Sequence, residues 1–226
     1  MPAERVLAGR GRFHEDLGMW IRTAPPVSGQ ARPALFLDRD GVIVEDPGYL
    51  GRAADIVIIP GAVETIALAN RLGVPVVEVT NQAGIARAYY GWQEFLEVEE
   101  ALTRQLARAG AVIDGVLACP YHCEGVAPWS HPAHPARKPR PGMLLAAARF
   151  LNLDLSDSWI VGDKVGDLLA GYNAGLRGGL HVLTGHGRQQ RQAAVDSNPE
   201  GFELRLGDSI RDAAPLLERI SPHRGA

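Results

Sequence analysis

A short apolar run, Ala34-Leu35-Phe36-Leu37, breaks into Asp38-Arg39-Asp40-Gly41, and this junction constrains the chain more than any other stretch. Side chains two apart on an extended segment point the same way, so Asp38 and Asp40 face one small volume. Carboxylates that close repel each other and raise one pKa unless a cation neutralises them. A strand ending in a solvated Asp-Gly turn would carry the same local residues. The two readings part on whether other strands also end in complementary polar groups.

They do. Val74 to Val79 has strand character and runs into Thr80-Asn81-Gln82-Ala83-Gly84. Val112 to Ala118 is a third strand, followed by an irregular, proline- and histidine-rich segment that closes on Arg137-Lys138-Pro139. Ser158 to Val161 leads into Gly162-Asp163-Lys164, and Leu180 to Leu183 is a fifth strand. Helical spacing fills the gaps: Ala62 to Leu72, Gly91 to Gly110, Gly142 to Leu151 and a helix through Asn173. In the long helix Phe95, Val98, Leu102 and Leu106 form the apolar stripe, and Glu97, Glu99, Glu100 and Arg104 are expected on its solvent faces. Strands alternating with helices predict an α/β fold, a doubly wound, Rossmann-like, mostly parallel sheet covered on both faces. Residues 188 to 226 should add helices and an edge strand at Phe202 to Leu206. Residues 1–33 read as an N-terminal extension to a domain spanning 34–220. A short helix is expected around His14 to Ile21, with Met19, Trp20 and Ile21 packed on the domain.

At 226 residues one domain with a full core is expected, and 23 basic against 26 acidic side chains leave a net charge of −3. That balance lacks the basic footprint of a nucleic-acid or anionic-membrane binder, so any anionic ligand must be held by local positive charge. Two cysteines, Cys119 and Cys123, make no disulfide framework. With no apolar leader or span-length segment, the expectation is a soluble, cytoplasmic protein whose partner is a small molecule. A monomer fits, although composition does not set the oligomeric state.

In open α/β sheets ligands bind outside the carboxyl ends of the strands, which would bring all four polar strand ends to one edge. Three carboxylates can hold a hard divalent ion such as Mg²⁺ through oxygen. A hydroxyl, backbone amides and a lysine can hold phosphoryl oxygens, where charge accumulates in the transition state. One aspartate can then attack phosphorus and the second, two residues on, can protonate the leaving oxygen and later activate water.

Asp38-Arg39-Asp40-Gly41-Val42, Val79-Thr80-Asn81-Gln82, Arg137-Lys138-Pro139 and Gly162-Asp163-Lys164 with Asp167 resemble, in order and spacing, the four motifs of the haloacid dehalogenase (HAD) superfamily. Within it, Asp-Arg-Asp-Gly, Thr-Asn-Gln and Arg-Lys-Pro-x-Pro-Gly-Met look like the heptose bisphosphate phosphatases and the related histidinol phosphatases. The resemblance implies Asp38 as nucleophile, Asp40 as acid/base, and Thr80 and Lys138 as further catalytic residues. It places Mg²⁺ on Asp38, the Asp40 carbonyl and Asp163. Asp46 to Tyr49, Thr80, Asn81, Gln82, Ala83, Arg137, Lys138 and Lys164 would contact substrate, expected to be D-glycero-D-manno-heptose 1,7-bisphosphate losing its C7 phosphate. Histidinol phosphate is the alternative ester. A phosphoaspartate signalling domain on a similar sheet is the alternative of another class, disfavoured because Asp40 drives turnover.

Cap modules of this superfamily follow the first or second motif, and here both intervals are already filled by ordinary strands, helices and loops, so no cap domain is expected. Many heptose bisphosphate phosphatases also carry a structural zinc on Cys-x-His and Cys-x-Cys pairs. Here those positions read Cys119-Pro120-Tyr121 and His134-Pro135-Ala136. Three of the four ligands have changed, so structural Zn²⁺ is not expected. A different set from Cys119, His122, Cys123, His131 and His134 is the remaining way to build one. Trp159 is expected in the core and Trp92 at the start of its helix as an ordinary surface or staple residue; Trp129 lies beside the proline-rich loop, with a substrate entrance as its one candidate role, and none of the three is assigned to the site.

Overall fold

The computed structural model describes residues 11–220. Eight strands form one sheet: β1 (Arg12–His14), β2 (Met19–Thr23), β3 (Leu35–Leu37), β4 (Val76–Asn81), β5 (Gly115–Cys119), β6 (Trp159–Gly162), β7 (Gly178–His181) and β8 (Glu203–Leu206). Their order is β1-β2-β5-β4-β3-β6-β7-β8. From β5 to β8 every pairing is parallel, and the β1–β2 hairpin adds on antiparallel at one edge. The helices are α1 (Ala62–Arg71), α2 (Ala83–Ala86), α3 (Trp92–Arg108), α4 (Gly142–Leu151), α5 (Val165–Ala174), α6 (Gly187–Asp196) and α7 (Ala214–Ile220).

Alternation along the central strands sorts the core into two layers. Leu35, Leu37, Val76, Trp159 and Val161 face a cluster containing Ile66 of α1, Phe95, Val98 and Leu102 of α3, and Leu217 of α7. Phe36, Val77, Val79 and Ile160 face the opposite cluster, with Met143, Leu144 and Ala147 of α4, Leu168 of α5 and Ala194 of α6. A doubly wound sheet follows, with Trp159 fully buried as expected. Among the described residues no helix is long and apolar enough to cross a membrane, and no cap domain interrupts the order of elements.

Three expectations need correction. The helix expected at His14 to Ile21 is instead the β1–β2 hairpin, with Phe13 paired to Trp20 and β2 to β5. Trp20 enters one core layer while Met19 and Ile21 enter the other, a two-residue period that only a strand supplies. Glu99 is not on a solvent face of α3 but 1% exposed, paired with a buried arginine. The fifth parallel strand sits earlier than Leu180 to Leu183, at Gly178–His181, where Gly178 passes so close to Trp159 and the Glu203 carbonyl that a Cβ would not fit.

Register sets the site. Leu37 pairs with Glu78 on one side and Val161 on the other. The three parallel strands therefore run out toward the same edge, where Asp38 follows β3, Thr80 and Asn81 end β4, and Asp163 follows β6.

Candidate active site

Asp38 follows the last residue of β3, its amide donating to the Val161 carbonyl at 3.1 Å. Its Oδ1 lies 2.9 Å from the Lys138 ammonium and accepts the Arg39 amide at 2.8 Å. Lys138 also reaches Asp167 Oδ1 at 2.6 Å and donates to the Val79 carbonyl at 2.8 Å. A buried ammonium with three acceptors is fully used and cannot swing away. Although burial opposes it, the Asp167 and Asp38 carboxylates hold its pKa above the ordinary lysine value. Lys138 stays charged beside Asp38.

Asp40 is held differently. Arg39, wholly buried, grips it through Nε to Oδ1 at 3.1 Å and Nη2 to Oδ2 at 3.0 Å, and donates Nη1 to Glu99 Oε1 at 2.7 Å. Gln82 donates to Thr80 Oγ1 at 2.7 Å and to Asp40 Oδ2 at 3.4 Å, while Tyr90 donates its hydroxyl to Gln82 Oε1. Burial raises the Asp40 pKa above the ordinary carboxylate value against the pull of Arg39. A carboxyl biased toward holding a proton, yet anchored on both oxygens, suits acid/base work.

Asp163 is fully buried, and its Oδ2 accepts the His186 amide at 2.7 Å. Its Oδ1 has no hydrogen-bond partner, the Lys164 ammonium standing 3.9 Å away. Burial, then the charges of Asp38 and Asp167, push its pKa up to about 7. Oxygens of Asp38, Asp163 and Asp167 lie within 4.8 Å of one another. An orphaned carboxylate oxygen among hard oxygen donors fits a small divalent cation. Gly41, at φ +89°, and Gly185 clear the space, since a Cβ on either would collide with Asp163 Oδ2.

These groups open into a cleft of about 550 Å³ lined by Asp38, Asp40, Asp46, Tyr49, Asn81, Gln82, Ala83, Arg137, Lys138 and Lys164. Thr80 and Asp163 do not line this cleft; they are buried, Thr80 bonded to Gln82 and Asp163 close to Asp38. Asp46 Oδ2 lies 3.4 Å from Lys164 Nζ and 3.1 Å from His186 Nε2. Despite burial, Lys164 and the Gly48 amide hold the Asp46 pKa below its ordinary value. Asn81 clamps the Lys138 main chain, and Arg137 donates Nη1 to the Tyr121 carbonyl at 2.9 Å, leaving other donors toward the cleft. Arg87 braces the mouth, donating to the Tyr49 hydroxyl at 2.7 Å and to Glu124 at 2.6 Å.

In the proline-rich loop Cys119 is buried and Cys123 exposed. His122, His131 and His134 each turn Nδ1 to the amide two residues on, those of Glu124, Ala133 and Ala136, at 3.0–3.1 Å. His134 also stacks on Tyr121 at 3.9 Å between ring centroids. Each ring therefore spends one nitrogen on its own loop. Trp129 does not line the cleft; it packs edge-on against Phe13, Trp92 and Tyr121. Trp92, at the start of α3, is half-buried in the same cluster, the packed staple of the two roles expected for it.

Two structural partners were not singled out from the sequence. Asp167 belonged to a motif already noted, and its spacing after Asp163 was the available signal. Glu99 carried none, because its neighbours in α3 are ordinary surface glutamates.

The HAD-hydrolase-like family model matches residues 135–209. The chain is 51% identical over 205 residues to a D-glycero-β-D-manno-heptose-1,7-bisphosphate 7-phosphatase from Mesorhizobium japonicum, covering 90% of this chain and 88% of that one. The crystal structure of a protein described as a HAD-like phosphatase from Mesorhizobium loti superposes with a TM-score of 0.79 at 40% identity, over 94% of this chain and 99% of that one. A D,D-heptose 1,7-bisphosphate phosphatase from B. bronchiseptica, crystallised with magnesium and phosphate, superposes with a TM-score of 0.73 at 30% identity, over 83% and 98%. On the strength of its strand-end carboxylates, its sheet order and these likenesses, the chain belongs to the heptose bisphosphate phosphatase family of HAD-like hydrolases.

Proposed function

We propose that this chain removes the C7 phosphate from D-glycero-D-manno-heptose 1,7-bisphosphate through an aspartyl-phosphate intermediate. The reading is carried by Asp38 paired with Lys138 at 2.9 Å while Asp40, two residues on, is anchored separately by Arg39. Nucleophile and acid/base are thereby kept apart in charge state.

Asp38, Asp163 and the Asp40 carbonyl would hold Mg²⁺, which supplies charge neutralisation at the phosphoryl oxygens. An Asp38 oxygen attacks phosphorus as the P–O bond to C7 breaks, and Asp40 gives its proton to the departing alkoxide. Asp40 then takes a proton from water, whose oxygen attacks phosphorus and breaks the bond to Asp38, releasing phosphate. Lys138 offsets the negative charge gathered between Asp38 and the phosphoryl group. Arg137 and Lys164, on the cleft wall, bind the rest of the substrate.

The test is sustained phosphate release from the bisphosphate with Mg²⁺, the product being resolved by ³¹P NMR. Many turnovers yielding the 1-phosphate are expected. Release no faster than from an Asp38→Asn variant would overturn the reading.

A further inference from the structure

Arg39 lies between the two reacting aspartates in sequence yet points away from the cleft, into the layer under α3. There it is 0% exposed, with its guanidinium 5.6 Å from the centroid of the Phe95 ring. A buried guanidinium needs a counter-charge, and its planar fork turns that partner into a geometric constraint. The partner is Glu99, 2.7 Å from Nη1 and 1% exposed. Glu78 is also close, but both its oxygens lack partners. Burial, followed by the Glu99 charge, pushes the Glu78 pKa well above the ordinary range. Glu99 is thus the carboxylate that fixes one end of the guanidinium, and the other end grips both oxygens of Asp40. Glu99 does not line the cleft.

We propose that Glu99 is a positioning residue: through Arg39 it sets the orientation of Asp40, and so governs leaving-group protonation without touching substrate. Asp38 is held by Lys138 and by the main-chain amide of Arg39, and the Arg39 guanidinium takes part in neither contact. Loss of Glu99 should therefore spare nucleophilic attack and impair only what Asp40 does. The inference rests on the proposed phosphatase reaction.

An ester whose leaving group needs no proton separates the two. The p-nitrophenolate of p-nitrophenyl phosphate departs unprotonated, whereas the sugar alkoxide does not. kcat/KM reports the phosphorylation step for both esters. Glu99→Leu should lower kcat/KM about 10- to 100-fold on the heptose bisphosphate, and less than about 3-fold on p-nitrophenyl phosphate. Glu99→Asp keeps the charge but is too short to reach Arg39, and it should show the same selective loss. Glu99→Gln keeps an acceptor at full reach and should recover most of the activity. If Glu99→Leu does not fold, the contrast between Glu99→Asp and Glu99→Gln decides. Equal losses on both esters, or no loss in any folded variant, would overturn the positioning role. Wild-type protein that turned over neither ester with Mg²⁺ would instead overturn the phosphatase reading.

Discussion

Asn81 holds Lys138 by both edges of its peptide, donating Nδ2 to the Lys138 carbonyl at 3.1 Å and accepting the Lys138 amide on Oδ1 at 3.1 Å. The end of β4 is thereby tied to the proline-rich loop, and the Lys138 ammonium is fixed beside Asp38. Asn81→Ala leaves both main-chain groups unpaired, and should cost about 1–3 kcal/mol of stability as well as activity. Urea denaturation and kcat measured together check this, and Asn81→Asp should not rescue, since its carboxylate cannot donate to the carbonyl.

Asp38→Asn keeps the shape of the strand end but removes the attacking charge. Turnover should fall by about 1,000-fold or more, as loss of a covalent nucleophile does, while circular dichroism stays unchanged. Residual activity at a tenth of wild type would rule Asp38 out as nucleophile.

Chelation should abolish activity and Mg²⁺ restore it, with Ca²⁺ a poor substitute because its longer, looser coordination misplaces the phosphoryl group. Mg²⁺ at 100 times its Kd should also stabilise the fold by about 2.7 kcal/mol. Asp163→Asn, which removes the negative charge of the orphaned carboxylate, should lose that thermal shift while remaining folded.

Arg137 spends one nitrogen on the Tyr121 carbonyl and has others left for a second anion at the far end of the substrate. Arg137→Ala should lower kcat/KM about 10- to 100-fold on heptose 1,7-bisphosphate, and much less on a monophosphate without the remote group. Equal losses would show that Arg137 only braces the loop.

The histidine caps make the loop pH-sensitive. Burial holds the His122 and His134 pKa values below the ordinary 6.5, with Arg137 and Arg87 adding at His122 and His131 at His134. The folded state therefore takes up these protons at lower pH than the unfolded one. Their contribution to stability is complete above 6.5 and is lost as pH falls through the depressed folded values. His134→Asn, whose side-chain oxygen can still accept the Ala136 amide, should flatten the dependence of the urea midpoint on pH in this window.

The alternation of apolar strands with amphipathic helices was enough to specify a doubly wound sheet, because burial on two faces leaves a local imprint of period two or 3.6 in every element. The strand-end motifs likewise put Asp38, Asp40 and Asp163 at one edge, since parallel strands deliver their carboxyl ends to one edge whatever else the chain does. The sequence could not decide what depends on a partner far along the chain. The stretch His14 to Ile21 became part of a hairpin because β5 offered an open edge, a pairing across nearly a hundred residues that overrides local helical spacing. Glu99 looked like any surface glutamate until α3 docked over Arg39, and Trp129 moved from substrate entrance to aromatic cluster once Phe13 arrived beside it. Local periodicity reports what an element buries, and only the assembled fold reports which buried charge it meets.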